Sequence, residues 1–225
     1  MVKAVFFDLD ETLINAEHAH QIATERAFHH FGYDYAEVRK KTPNHISMGK
    51  RVSDNLKARR DGAGILESEI PFQKLLSLRE GYFLEYMEKE AIILEGAGEI
   101  VKRMKSKNIL SAIVSSGTHK YLYLVLKKFN LEDSIDFIVS GDDVLKGKPD
   151  PECYLTAFNK AIKIIPDLKT EECLVFEDTE AGVTAGKNAG MKVVLIPTLT
   201  SIMPTVVMPD YIIDSLLNFK DSMLE

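Results

Sequence analysis

The 225-residue chain carries 28 Lys+Arg against 34 Asp+Glu, a net charge of −6, with 45% hydrophobic and 28% charged residues. This is the balance of an ordinary globular protein, long enough for one sizeable core and a smaller appended module. An acidic chain lacks the excess of Lys and Arg that displaces phosphate counterions, which argues against a broad nucleic-acid surface. No apolar run approaches the ~20 residues that cross a bilayer, and the first residues enter a strand-like run without a leader pattern. A cytoplasmic protein with no membrane partner is the expectation. Cys153 and Cys173 have no motif spacing and are expected as reduced core residues.

In chain order, residues 2–7 form a short apolar run ending at Asp8. Residues 15–91 contain no convincing strand but several helical patterns, such as Ala19, Ile22, Ala23, Ala27 and Phe31. Strand-like runs then return at 110–114, 137–139, 174–176, 193–196 and 211–213. Between them, Leu122, Val125, Leu126 and Phe129 fall at helical spacing, as do Phe158, Ala161, Ile162 and Ile165. Near-continuous apolar strands alternating with helices point to a doubly wound, Rossmann-like parallel sheet. The expected division is a core of residues 1–14 and 92–225, with 15–91 inserted after the first strand as a helical cap over the sheet's carboxyl edge. Tyr82, Phe83, Tyr86 and Met87 at helical spacing are read as packing within that cap.

The residues following each strand carry the chemistry, because open α/β sheets bind ligands beyond the carboxyl ends of their strands. The first strand runs into Asp8-Leu9-Asp10-Glu11-Thr12, and the next core strand into Ser115-Ser116-Gly117-Thr118. The third leads to Gly141-Asp142-Asp143 and then Gly147-Lys148-Pro149, and the fourth to Glu177-Asp178-Thr179-Glu180-Ala181-Gly182. Four converging carboxylates raise one another's pKa values unless a hard divalent cation joins them. A phosphate dianion needs that metal, a lysine, and the hydroxyls and amides at a helix start. A carboxylate can attack phosphorus, and a second acid can protonate the leaving oxygen and then activate water.

Phe7-Asp8-Leu9-Asp10-Glu11-Thr12-Leu13, Ser115, Gly147-Lys148-Pro149 and Glu177-Asp178 resemble the four ordered motifs of the haloacid dehalogenase superfamily. The helical insertion resembles the cap of its phosphatase and β-phosphoglucomutase-like branch, and the resemblance covers nearly the whole chain. It implies Asp8 as nucleophile and metal ligand, with Asp10 as acid/base and a metal ligand through its backbone carbonyl. Thr12 would hold the motif turn and orient Asp10. Ser115 and the amides of Ser116 and Gly117 would bind phosphoryl oxygens, and Lys148 would neutralise phosphate and Asp8. Asp178, with Glu177, would hold Mg²⁺. The namesake dehalogenases lack the second acid that stands here as Asp10, which points to phosphate chemistry.

His20 lies where the mutase-like relatives place a cap-hinge histidine near the substrate. Met48-Gly49-Lys50-Arg51 resembles their substrate-facing loop, so Lys50 and Arg51 are candidates for binding an anionic substrate, against a reading as solvated charges. Asp142 and Asp143 are read equally as metal-site or turn residues. Glu11 stands where those relatives often have Gly, placing extra negative charge beside the nucleophile. The expected function is a Mg²⁺-dependent phosphatase of a small phosphorylated metabolite, such as a sugar or polyol phosphate. The rivals are a phosphomutase using the same Asp8 phosphoenzyme and a catalytically silent interaction module.

Overall fold

The structure, a computed structural model, describes residues 1–42, 51–198, 203–204 and 206–225. At its centre β1 (Ala4–Phe7) lies between β4 (Leu110–Val114) and β6 (Cys173–Glu177). Outside β4 comes β5 (Phe137–Val139), and beyond β6 come β7 (Lys192–Leu195) and β8 (Tyr211–Ile212). Every pairing in this six-stranded sheet is parallel. The four β1 residues are wholly buried, and the strand's period of two divides them between the faces. Val5 and Phe7 join one apolar cluster with helices α5 (Ala97–Ser106) and α6 (His119–Lys128). Ala4 and Phe6 join the other, with α7 (Glu152–Ala161) and α8 (Glu180–Asn188). Burial on both faces is why these strands read as continuous apolar runs.

The helical insertion comprises α1 (Glu17–His30), α2 (Tyr35–Lys40), α3 (Val52–Gly62) and α4 (Phe72–Glu90). Both passages between it and the core run through a two-stranded antiparallel ribbon, β2 (Ile14–Asn15) against β3 (Ile92–Ile93). Ala19 and Ala23 of α1 and Phe83 and Met87 of α4 continue the core's apolar cluster. Ala27, Phe28, Val38, Leu56, Ile70 and Leu75 form a separate core farther out. Each cap helix thus buries one stripe, as its spacing predicts.

Several element bounds differ from the pattern by a residue or so, and two differ with a visible cause. The first strand begins at Ala4, because Val2 instead donates its amide to the Leu224 carbonyl at 2.6 Å. Helix α7 stops at Ala161 although the apolar stripe continues to Ile165. Pro166 follows, and the residue before a proline is driven out of helical geometry. Cys153 and Cys173 are buried and free. Among the described residues no helix is long and apolar enough to cross a membrane.

Candidate active site

Asp8 sits one residue past β1, and its amide donates to the Phe176 carbonyl at 2.9 Å. The chain then folds back, with the Leu13 and Ile14 amides both donating to the Leu9 carbonyl. This tight turn needs a left-handed residue, and Glu11 supplies it with φ 59°. That accounts physically for a glycine at the same place in relatives. Glu11 uses its side chain as well. Its Oε1 accepts the Ala16 and Glu17 amides, each at 2.7 Å, at the start of α1, where Ala16 provides no side-chain cap. The extra charge beside Asp8 is therefore tied to a helix N-terminus.

Lys148 links the ends of three strands. Its Nζ is 2.5 Å from Asp8 Oδ1, 2.5 Å from Glu177 Oε1 and 3.3 Å from the Val114 carbonyl. Tyr154 Oη donates to the same Glu177 oxygen at 2.5 Å, and Thr179 Oγ1 donates to the other at 3.3 Å. Lys148 is 4% exposed and Glu177 has no exposed surface, so this is a buried and fully accompanied charge pair. Burial disfavours the lysine's charge, but Asp8 and Glu177 outweigh it and hold its pKa well above the usual value. Glycine 182 is what admits Glu177: a Cβ there would lie 1.9 Å from the glutamate's Cδ.

Asp8, Glu177 and Asp178 offer ligand oxygens that all lie within 4.8 Å of one another. Burial pushes the Asp8 carboxyl up to about 8, with Lys148 opposing and Glu177 adding to the rise. Burial and the charges of Asp8 and Glu177 also hold Asp178 well above the carboxylate range. With the Asp8 and Asp178 carboxyls both pushed up, the cluster is a site short of positive charge. Hard oxygen donors of this kind fit Mg²⁺.

Across the cavity, Ser115 Oγ accepts the Gly117 amide at 3.0 Å, and Ser115, Ser116 and Gly117 line the wall. The N-cap of α6 is Thr118, not Ser115, which leaves Ser115 Oγ outside the helix proper. Gly141 lets a neighbouring turn approach: a Cβ there would lie 2.4 Å from the Ser116 carbonyl oxygen. Asp142 and Asp143 serve that turn. Asp143 accepts the Ser140 amide at 2.8 Å, and Asp142 accepts the His119 amide at 2.9 Å.

Asp10 is gripped from both the sheet's flanking helix α6 and the helical insertion. Tyr121 of α6 donates to its Oδ1 at 2.6 Å, and His20 Nε2 of α1 lies 2.7 Å from its Oδ2. Arg79 Nη2 of α4 bonds to His20 Nδ1. An arginine only donates, so Nδ1 must accept, and Nε2 carries the proton given to Asp10. Phe83 packs on both partners, stacked on His20 at 4.5 Å and edge-on to Tyr121 at 4.8 Å. Burial alone raises a carboxyl pKa, yet the His20 and Tyr121 hydrogen bonds prevail and lower that of Asp10.

One cavity of about 320 Å³ brings these groups together. From the sequence candidates it gathers Asp8, Asp10, Ser115, Ser116, Gly117, Lys148, Asp178 and His20. Glu177 lies beneath the floor and reaches the cavity through Lys148. Thr12 is buried away from it, and its hydroxyl has no hydrogen-bond partner among the described residues. Arg51 also stands off the cavity wall, donating instead to the Val144 and Leu145 carbonyls beside Gly147. Its guanidinium ties cap to core. Lys50 lies outside the described residues. Tyr121, Tyr154, Arg59 and Arg79 complete the site, and the sequence pattern does not single them out.

The haloacid dehalogenase-like hydrolase family model matches residues 5–196. The chain is 32% identical over 195 residues to validoxylamine A 7'-phosphate phosphatase of Streptomyces hygroscopicus subsp. limoneus, covering 85% of this chain and 84% of that one. It is 30% identical to a phosphorylated carbohydrates phosphatase of Thermotoga maritima, covering 85% and 83%. In fold it matches the crystal structure of CbbY from Rhodobacter sphaeroides in complex with phosphate, with a TM-score of 0.81, 21% identity, and 97% and 96% of the chains covered. The chain belongs to the haloacid dehalogenase-like hydrolase family.

Proposed function

We propose that this protein is a Mg²⁺-dependent phosphatase of a small phosphorylated metabolite, such as a sugar or polyol phosphate, acting through an aspartyl-phosphate on Asp8. The observation that carries this reading is the buried Asp8 carboxylate, bound by Lys148 and flanked by Glu177 and Asp178 within 4.8 Å. The phosphatase names of the two relatives support it.

The substrate phosphate would rest between Lys148 and the Ser115 hydroxyl with the Ser116 and Gly117 amides. Asp8 attacks phosphorus and the bond to the leaving oxygen breaks, the proton for that oxygen coming from Asp10. Asp10 then takes a proton from the water that hydrolyses the aspartyl-phosphate. The ionised Asp10 held by Tyr121 and His20 is the form this second half-reaction requires. Asp8, Glu177 and Asp178 would hold Mg²⁺, with the Asp10 backbone carbonyl as a further ligand, and the bound ion would supply neutralisation of phosphoryl charge.

A screen of phosphorylated metabolites, with p-nitrophenyl phosphate as reference, tests the reading. Phosphate release that stops in EDTA and returns with Mg²⁺, but not with Ca²⁺, is expected. Full activity in excess EDTA would remove the metal from the account. Isomerisation of a hexose 1-phosphate without phosphate release would assign a phosphomutase, and no turnover of any monoester a silent module.

A further inference from the structure

The cavity wall holds both acids and cap arginines. Asp8, Asp10 and Asp178 come from the core, whereas Arg59 and Arg79 come from the cap, with exposed Arg39 beside them. Arg59 is 8% exposed and Arg79 is 4% exposed, so both guanidiniums have largely left water. Such burial is costly unless an acid accompanies the charge.

Neighbouring Arg60 shows how this chain ordinarily meets that cost. It is equally buried and ion-pairs with both Asp61 and Glu67. No carboxylate among the described residues ion-pairs with Arg59 or Arg79, whereas thirteen other lysines and arginines, from Lys3 to Lys187, do have such partners in Asp or Glu. Residues 43–50, 199–202 and 205 include no Asp or Glu, so they supply none either. Among the described residues Arg59 meets only neutral groups, Thr42 Oγ1 at 3.4 Å and the Tyr35 ring at 5.8 Å. Arg79 bonds to His20 and lies 4.6 Å over the Phe83 ring, while its buried Nε has no hydrogen-bond partner among the described residues. Burial draws Arg79 down to about 10, and the charges of Asp10 and Glu80 oppose that fall, so it stays charged at neutral pH.

We propose that the substrate is a phosphomonoester whose leaving group carries its own anionic group, a carboxylate or a second phosphate, received by Arg59 and Arg79 on the cap side. Two buried cations in the cavity wall, neither ion-paired with a carboxylate among the described residues, keep donors free for an anionic ligand. The guanidinium fork matches carboxylate and phosphate oxygens alike, with several donors still unused. A cavity of about 320 Å³ suits a short doubly anionic metabolite, at the small end of ligand pockets. The inference rests on the phosphatase reading and adds the distal half of the substrate.

Paired substrates that differ only in the distal anion test it. The pairs are 3-phosphoglycerate against glycerol 3-phosphate, and fructose 1,6-bisphosphate against fructose 1-phosphate and fructose 6-phosphate. At least one anionic member should exceed its neutral counterpart at least tenfold in kcat/KM. The winning pair also tells carboxylate from phosphate. Arg59→Met and Arg79→Met keep the apolar stem and should each cut that ratio about tenfold or more, the worth of a hydrogen bond to a charged group. Because Arg59→Met breaks no ion pair, it should melt no lower than the native protein. Neutral members turned over as well as anionic ones would overturn the proposal, as would a preference untouched by both substitutions. Failure to hydrolyse even p-nitrophenyl phosphate would instead sink the phosphatase reading. The distal site would then be read from melting: greater stabilisation by 3-phosphoglycerate than by glycerol 3-phosphate, lost in Arg59→Met, upholds it, and equal stabilisation refutes it.

Discussion

Replacing Tyr121 by Phe removes one oxygen and leaves the ring. That ring is 2% exposed and packs edge-on against Phe83 at 4.8 Å, so the helix and the cap contact persist. The lost atom donates to Asp10 Oδ1 at 2.6 Å, leaving His20 as the remaining grip on that carboxylate. A hydrogen bond to a charged group is worth about 1.5–3 kcal/mol. Where Asp10 acts as a correctly oriented base, this sets the expected loss of kcat at roughly 10- to 100-fold, below the full ~10²–10⁴ of general acid–base catalysis. The sign on pH follows from the same bond. Tyr121 stabilises the ionised form and holds the Asp10 pKa down, so Tyr121→Phe lets it rise, and the acid limb of kcat moves towards neutral pH. Stopped-flow assays with p-nitrophenyl phosphate separate the half-reactions. Its leaving group needs little protonation, so the nitrophenol burst should survive while the steady state slows. Equal slowing of burst and steady state, or an unmoved acid limb, would refute the claim that Tyr121 orients Asp10.

Gly182→Ala should be severe for a substitution of one methyl group. Its Cβ would fall 1.9 Å from Glu177 Cδ, and displacing Glu177 breaks a buried pair worth about 3–5 kcal/mol; a urea melt indistinguishable from the native protein would contradict this packing. Burial pushes the Cys153 thiol up to about 11 and the Cys173 thiol up to about 12. At pH 8 the thiolate fraction is then at most ~10⁻³, so both should resist a disulfide reagent in the native protein and react fully in urea; rapid native labelling would show that they are not buried.

The alternation of apolar strands with helices was legible because the central strands β1, β4 and β6 are buried on both faces. Asp8, Ser115, Lys148 and Asp178 could be placed because each follows a strand, and parallel strands deliver their ends to one edge. What escaped the pattern depends on contacts between elements. Tyr121 and Arg79 lie within helices, and which of them meets Asp10 is decided by how cap and core pack. Arg59 and Arg60 are adjacent on α3, yet one joins acids and the other lines the cavity, a distinction spacing alone does not make. Glu11 was read as a charge, whereas its left-handed backbone and its bonds to two amides depend on the turn's geometry.

The covalent intermediate is the account's central claim, and Asp10→Asn offers the direct measurement. This substitution keeps Asp8 and its Lys148 contact but removes the base for the second half-reaction. Incubated with p-nitrophenyl phosphate and Mg²⁺, then digested and sequenced by mass spectrometry, the variant should carry a phosphoryl group on Asp8 that hydroxylamine removes. A phosphoryl group trapped on any other residue, or ordinary turnover by Asp8→Asn, would contradict the mechanism.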